Sequence, residues 1–448
     1  MTASTTTTTA QPQRVSREER KVLAGTLIST TIEWYDLFIY AQAAALILAT
    51  HYFKPAGAES STIPQLVSWA SLGISFLFRP LGAIVAGHIG DRFGRRITLV
   101  ITLITMGVAT VGVGLVPTYA TIGIAAPILI LLLRILQGFS AGGEWGGAAL
   151  MSVEHAPQGK RGFFGAFPQI GVPLGMILAT ATVLIINLMI GPEAYLAYGW
   201  RIPFLLSIFL IAVGYYIRKS VDESPVFKQM QALKSEESAP LKLLFKSNTK
   251  EVLLAPLIFI ANNAAGYLVI SFIASYTTKA LGMSRNESLT ASLIGGFGWF
   301  AFTMIGGWMS DRVGRVRTFQ IGYGLMILWA IPMWLLIDTG NLFLIIASVL
   351  VSTLTLGLSY GPQSALYAEM FPAKVRYSGI SIGYAIGSIF GGAFAPMIAQ
   401  LLLDKTGHSW SIGVYIALAA AISLAAVSAV PKGIQDINLH PEEAHRES

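Results

Sequence analysis

Two carboxylates lie where a hydrocarbon environment is expected. Residues 22–49 form an apolar run long enough to cross a bilayer, yet the run contains Glu33, Asp36 and Tyr40. A charge at the bilayer centre costs about 2.5–3.5 kcal/mol on insertion scales. Glu33 and Asp36 are three residues apart and Tyr40 is four further on, so a helix places all three on one face. That face must point into protein or into a water-filled cavity. A second apolar run, 121–150, carries a cation, Arg134, with Gln137 three residues later. An acid and a fixed cation in a shared low-dielectric cavity can hold a charged solute, and the acid can take up a proton when the cation turns away. Arg134 is a candidate counter-charge for Asp36 or for an anionic substrate. Its position near the start of its run also suits snorkelling to the membrane surface.

The elements that must position these groups follow from composition. Of 448 residues, 54% are hydrophobic and 12% charged, about half the charge of a soluble protein. The chain reads as an all-α membrane protein. Apolar runs of about 20 residues fall at 22–49, 65–88, 97–116, 121–150, 163–190 and 203–219, then at 252–280, 288–309, 318–337, 342–368, 378–403 and 411–430. These make twelve transmembrane helices in two six-helix bundles, 22–219 and 252–430. A polar, Thr-rich tail (1–21, expected disordered), a Lys-rich linker (220–251) and a second tail (431–448) complete the chain. Lys and Arg number 23 on the side of the tails and linker and 4 on the other. This asymmetry places both termini in the cytoplasm.

The halves repeat each other. Asp91, Arg92, Gly94 and Arg95 follow the second run, and Asp311, Arg312, Gly314 and Arg315 follow the eighth, offset by 220 residues. Glu154 and Arg161 recur as Glu369 and Arg376 with the same seven-residue spacing, each Glu followed by Pro three residues on. Basic loops alone would satisfy orientation, but they require no Asp at a fixed place. The pattern suits a cytoplasmic gate in which the first-half arginines pair with Glu154, and Arg312 and Arg315 with Glu369. Duplicated halves facing each other are a recurrent transporter design.

These loops resemble the hallmark of the major facilitator superfamily. Glu33-Trp34-Tyr35-Asp36, Phe78-Arg79-Pro80-Leu81-Gly82, Arg134-Ile135-Leu136-Gln137-Gly138, residues 142–148 and residues 199–204 narrow the resemblance to its metabolite:proton symporters, which include shikimate, α-ketoglutarate, citrate and proline/betaine carriers. The resemblance runs from about Lys21 to Pro431. It implies the twelve-helix fold of two pseudo-symmetric bundles, alternating access and, for most members, proton coupling. Sugar:proton symporters of the superfamily use an Asp in the first span and an Arg in the fourth as a coupling pair, places that Asp36 and Arg134 match. On that model Asp36 takes a proton when Arg134 turns to a substrate carboxylate. Glu33 is the alternative proton site.

Polar groups in the second half would complete the binding site: Asn262, Asn263 and Tyr267 in the seventh run, Tyr360 and Gln363 around Gly361-Pro362 in the tenth, and Tyr384 in the eleventh. Pro362 breaks its helix. Gln169, between Pro168 and Pro173, is expected to lie at a similar break in the fifth. Arg79 is open between pairing with Glu33 or Glu144 and touching substrate. Glu144 and Trp145 sit among glycines that suit close packing. No enzyme constellation, Walker A loop or metal-ligand spacing among the six histidines appears, so no cofactor is expected. The reading is a monomeric symporter of the bacterial inner (plasma) membrane, moving a small organic acid with protons across the lipid bilayer, with no nucleic-acid partner. The alternatives are a zwitterionic osmolyte as cargo, or export.

Overall fold

The computed structural model describes residues 16–54, 62–93, 95–157, 159–219, 240–372 and 375–431. Among the described residues helix is the regular secondary structure, with no strand. The first helix, α1 (Arg17–Ala43), begins inside the stretch expected as a tail. Ser16 caps it, its hydroxyl accepting from the Glu19 N–H while the Glu19 carboxylate accepts from the Ser16 N–H, a reciprocal box that satisfies two orphan donors. The helix continues through a π-helical segment (Ala44–Leu48) to His51. Then come α2 (Thr62–Leu77), α3 (Arg79–Phe93), α4 (Arg95–Leu115), α5 (Ala125–Glu154), α6 (Arg161–Ile190) and α7 (Ile202–Lys219).

The second half opens with a short helix, Pro240–Ser247, within the segment expected as linker, of which 220–239 lie outside the described residues. It is followed by α8 (Thr249–Tyr267), a π segment (Leu268–Phe272), α9 (Ile273–Lys279), α10 (Arg285–Val313), α11 (Arg315–Ile337), α12 (Leu342–Tyr360), α13 (Gln363–Met370), α14 (Arg376–Ser388), a third π segment (Ile389–Ala393), α15 (Ala395–Thr406) and α16 (Trp410–Ser428). Ten helical stretches among the described residues are long and apolar enough to cross a membrane. The helices carrying Glu33 with Asp36 and Asn262 with Asn263 are not among the ten, and those are the polar groups that make them less apolar.

Within the first half α1 packs on α6, α5 on α3 and α4, and α7 on α4. Within the second, α10 packs on α12, α11 on α12 and α16, and α8 on α14 and α16. The halves meet where α6 packs on α10 and α13, α14 on α3 and α5, and α2 on the π segment after α14. Small residues permit these approaches. A Cβ on Gly138 would overlap the Ser75 carbonyl oxygen, one on Gly142 the Arg79 carbonyl oxygen, and one on Gly146 the Ser381 hydroxyl of the opposite half. The four-residue spacing of these glycines turns α5 into the hub on which both halves close.

Two helix breaks fall at prolines. Pro80 removes the N–H that would bond Phe76 and separates α2 from α3 at Phe78. Gly361-Pro362 separates α12 from α13, as expected. The expected break around Gln169 is absent: α6 runs unbroken through Pro168 and Pro173. Gly171 and Gly175 press its backbone against Thr30, Trp34 and Tyr35 of α1, and this long contact keeps the rod intact through both prolines.

Gly142→Val is expected to destabilise the protein by about 1–3 kcal/mol or more, because backbone cannot move aside as a side chain can. Gly324, in α11, has open space around its Cα, so Gly324→Ala should leave stability unchanged or raise it by up to about 1 kcal/mol. Thermal melts of the detergent-solubilised protein, followed by size-exclusion fluorescence, would check both, and equal melting points for the two variants would refute the packing argument.

Candidate functional site

The α1 face divides its two acids between different neighbours. Asp36 is 1% exposed. Its Oδ1 accepts from the Ser207 hydroxyl of α7 and its Oδ2 from the Thr110 hydroxyl of α4, both at 2.9 Å. Thr110 in turn accepts from Gln137 Nε2 at 2.7 Å, and Gln137 Oε1 accepts from Arg134 Nη1 at 2.8 Å. Every donor in this chain points from Arg134 towards Asp36. The expected direct ion pair is therefore replaced by a relay through one amide and one hydroxyl, each of which donates at one end and accepts at the other.

Arg134 is itself 1% exposed, which rules out snorkelling. Its Nη2 donates to Ser75 Oγ at 2.9 Å and the Leu72 carbonyl at 3.3 Å, and its Nε to the Ser71 carbonyl at 3.4 Å. The guanidinium stacks 3.9 Å over the Tyr40 ring, whose hydroxyl shares a hydrogen bond of 2.6 Å with Ser71. All three of its nitrogens are engaged. This cation is built into the wall.

Glu33 turns the other way. Its Oε1 lies 3.7 Å from Nη2 of Arg79 at the start of α3, which settles the partner of Arg79 as Glu33. Glu144 is held instead by the hydroxyls of Ser29 and Thr102. The Arg79 guanidinium is wedged between Phe76, at 4.4 Å, and Trp34, at 5.9 Å. Its Nε and Nη1 have no hydrogen-bond partner among the described residues. Arg79 lines one small cavity with Glu33, Asp36, Arg134 and Gln137; Trp34 also lines a second pocket between the halves, with Phe259, Asn262, Asn263, Gly266, Tyr267, Trp299 and Tyr360.

This pocket collects donors. Trp34 Nε1, Trp299 Nε1, Asn262 Nδ2, Asn263 Nδ2 and the Tyr267 hydroxyl are buried without a hydrogen-bond partner among the described residues. The orientation of Asn262 is set from behind, since its Oδ1 accepts from Ser359 at 2.6 Å. Buried polar groups are nearly always paired, and unpaired ones cost about 1–3 kcal/mol each. Such a concentration marks a site shaped for something that supplies acceptors.

The remaining predicted residues form the floor. Trp145 of α5 stacks on Tyr384 of α14, with ring centroids 3.9 Å apart and planes 11° apart, and Tyr384 stacks on Phe259 at 4.5 Å. Trp145 Nε1 donates to Gln169 Oε1 at 2.7 Å. Gln169 Nε2 donates across the interface to the Tyr360 carbonyl at 3.1 Å and Gln363 Oε1 at 3.4 Å. That carbonyl is available because the helix breaks at Gly361-Pro362. Gln169, Tyr360 and Gln363 thus come together as a clasp between halves. Thr110, Ser207, Ser71 and Ser75 were missed by sequence reasoning. Lone hydroxyls in apolar helices are common and carry no spacing signal.

At the end bearing the repeated Asp-Arg loops, Arg315 reaches Asp311 at 2.7 Å and Glu369 at 3.2 Å, as expected. Gly314 joins α10 to α11 with φ +96°, a conformation nearly reserved for glycine. Asp311 does more than pair. Its two oxygens accept the Gly162 and Phe163 N–H groups at the start of α6, both at 2.8 Å, where a carboxylate also meets the positive end of the helix dipole. Arg312 departs from expectation: it is exposed and lies 4.0 Å over Trp308 instead of meeting Glu369, because it sits three residues before Arg315 on the outward side of the turn. Arg376 crosses to Glu154 of the other half at 3.7 Å, and Arg161 faces Glu369 across the same seam. Tyr377 adds a bond to the Gly143 carbonyl at 2.7 Å. Gly94 and the side chains of Asp91, Arg92 and Arg95 lie outside the described residues, and the expected first-half pairing with them.

The opposite end is closed as well. A Cβ on Gly73 of α2 would collide with the Ala393 carbonyl of the second half, and Arg285 lies 4.9 Å over the Tyr195 ring.

Comparison with known proteins agrees with this architecture. Residues 26–396 match the model of the Major Facilitator Superfamily. The inner membrane metabolite transport protein YhjE of Escherichia coli is 40% identical over 91% of this chain and 93% of its own. The shikimate transporter of the same organism is 34% identical over 91% and 93%. The glycine betaine/proline/ectoine/pipecolic acid transporter OusA of Dickeya dadantii is 31% identical over 90% and 82%. The structure of the proton:xylose symporter XylE superimposes with a TM-score of 0.76 over 93% of this chain and 97% of that one at 18% identity, a likeness of fold. The chain belongs to the Major Facilitator Superfamily, as a multi-pass metabolite transporter of the bacterial cell membrane and not an enzyme.

Proposed function

We propose that this transporter is a proton-coupled symporter that takes up a small organic acid by alternating access. Twelve spans, in two bundles covering 22–219 and 252–430 and joined by the linker 220–251, would place both termini and the Asp-Arg loops in the cytoplasm. The observation that carries the reading is Arg79: a buried cation whose Nε and Nη1 have no hydrogen-bond partner among the described residues, in a cavity with Glu33 and 5.9 Å from the ring of Trp34, which lines the donor-rich pocket. A carboxylate is the ligand whose two oxygens match a guanidinium fork, and hydroxyl or carbonyl oxygens on the same molecule would take up Asn262, Asn263, Trp34 and Trp299.

Coupling follows from competition. Glu33 and a substrate carboxylate seek the same guanidinium. When the substrate takes Arg79, Glu33 stands in a low-dielectric site without that cation, and it is stabilised by a proton. Substrate and proton then cross together, and one proton per monoanion moves no net charge. Asp36 lies behind this exchange, held by Ser207 and Thr110, and Arg134 behind it again. We therefore assign the coupling proton to Glu33 and a positioning role to the Asp36–Thr110–Gln137–Arg134 relay. The aromatic walls of Trp34, Phe259 and Trp299 also suit a quaternary ammonium, so a zwitterion such as betaine is the second reading.

Uptake into proteoliposomes with an inward proton gradient separates the readings, using hydroxy acids, dicarboxylates, aromatic acids, proline and betaine. An acid is expected to accumulate; accumulation indifferent to the gradient overturns the symport. Arg79→Lys should raise KM by about 30-fold or more, since an ammonium cannot offer the fork, with little change in melting temperature. Arg134→Lys should instead lower the melting temperature.

Glu33→Gln should abolish gradient-driven accumulation while counterflow exchange persists. Asp36→Asn should keep gradient-driven accumulation at reduced rate. The reverse pattern would transfer the proton to Asp36.

A further inference from the structure

A further cavity opens towards the end opposite the Asp-Arg loops, between α1 of one half and α9 and α10 of the other. Its walls include Lys279 and Arg285, two of the four basic residues that the sequence assigns to that side of the membrane. Arg285 Nη2 is buried without a hydrogen-bond partner among the described residues. The acid nearest in sequence, Glu287, is occupied elsewhere: its carboxylate accepts from the Ser284 N–H at 3.0 Å and the Ser284 hydroxyl at 2.7 Å. From these cations a file of hydroxyls leads inward. Thr278, Ser275 and Ser271 line the cavity at spacings of three and four, which a helix keeps on one face. The next position in that file is Tyr267, which lines the central pocket. Gln42 closes the facing wall, one and a half turns beyond Asp36 on α1.

We propose that Lys279 and Arg285 form an outer capture site for small carboxylate anions, which pass down the Ser/Thr file to the central pocket. The site gathers anions by electrostatic attraction in a concave, low-dielectric mouth, where such attraction raises arrival rates by about tenfold or more. Weak holding suits it, because both cations are partly solvated and release what they collect. The idea rests on the central site's taking an acid, but its test is separable from that reading.

The chain contains no cysteine, so Ser275→Cys introduces a single thiol in the cavity. Its labelling by an anionic methanethiosulfonate (the ethylsulfonate) would be compared with labelling by the cationic trimethylammonium analogue. The anionic reagent should be favoured. Adding Lys279→Gln and Arg285→Gln should reduce the anionic-to-cationic ratio about tenfold, and Lys279→Arg with Arg285→Lys should restore it. Millimolar shikimate, used as a carboxylate probe, should slow anionic labelling in the single-cysteine protein and not in the charge-neutralised one. A ratio unmoved by neutralisation, or labelling indifferent to shikimate, overturns the capture site. Arg79→Lys should leave the labelling ratio intact. If labelling behaves as stated while proteoliposomes accumulate betaine and no acid, the central reading falls and the outer anion site stands.

Discussion

Dehydrated charge is the constraint on which this structure turns. Glu33, Asp36, Arg79 and Arg134 are each 3% exposed or less, in helices that a bilayer surrounds. With no water to solvate them, protein groups must do so, and the neighbouring helices are arranged to that end. From α2 the carbonyls of Ser71 and Leu72 and the Ser75 hydroxyl meet Arg134. Thr110 and Ser207 bring hydroxyls from α4 and α7 to Asp36. The glycines of α5 allow those helices to come close enough for hydrogen bonds. Arg134 is fully served by this scaffold and Arg79 is not, although the two cations are equally buried. A fold that can saturate one guanidinium and leaves another with open N–H groups has separated structure from function in the same few ångströms.

The parts of this arrangement that were legible in the sequence are those where a rule of spacing holds within one helix or one loop. The i, i+3, i+7 placement of Glu33, Asp36 and Tyr40 marked a buried polar face. The 220-residue repeat marked the Asp-Arg loops, and Arg315 of the second loop meets Asp311 and Glu369. Gly361-Pro362 breaks its helix. What stayed hidden depends on docking. Glu33 and Asp36 share a face yet part company, because α3 approaches one and α4 with α7 the other. Pro168 and Pro173 look like breaks until the contact of α6 with α1 is known. Arg376 finds Glu154 in the opposite half, a pairing that the spacing within either half cannot announce. The relay to Asp36 runs through hydroxyls that no periodicity distinguishes from the other Ser and Thr residues of apolar helices.

The two halves divide the chemistry of the centre. Among the described residues every charge at the centre comes from the first half; the second contributes amides, hydroxyls and aromatic rings. A solute in the pocket therefore touches both halves, its charge on one and its remaining oxygens on the other. Such a ligand favours any state in which the halves stand together around it. Two sets of contacts bound that state. At the loop end they are Arg376 with Glu154, Asp311 on the start of α6, and Tyr377 on Gly143. At the far end they are the packing of Gly73 on Ala393 and of Arg285 on Tyr195. The first set is charged and directional; the second is a small-residue contact and a cation over a ring. On the proposed alternating-access reading, opening at one end breaks one set while the other survives. The π-helical segments in α1 and after α8, at Ala44–Leu48 and Leu268–Phe272, lie between the pocket and the far end in both halves. A π turn weakens the local hydrogen-bond ladder, and such turns recur at functional sites in helices. In both halves the π turn follows the helix that carries the central polar groups, Glu33 and Asp36 in the first half and Asn262 and Asn263 in the second.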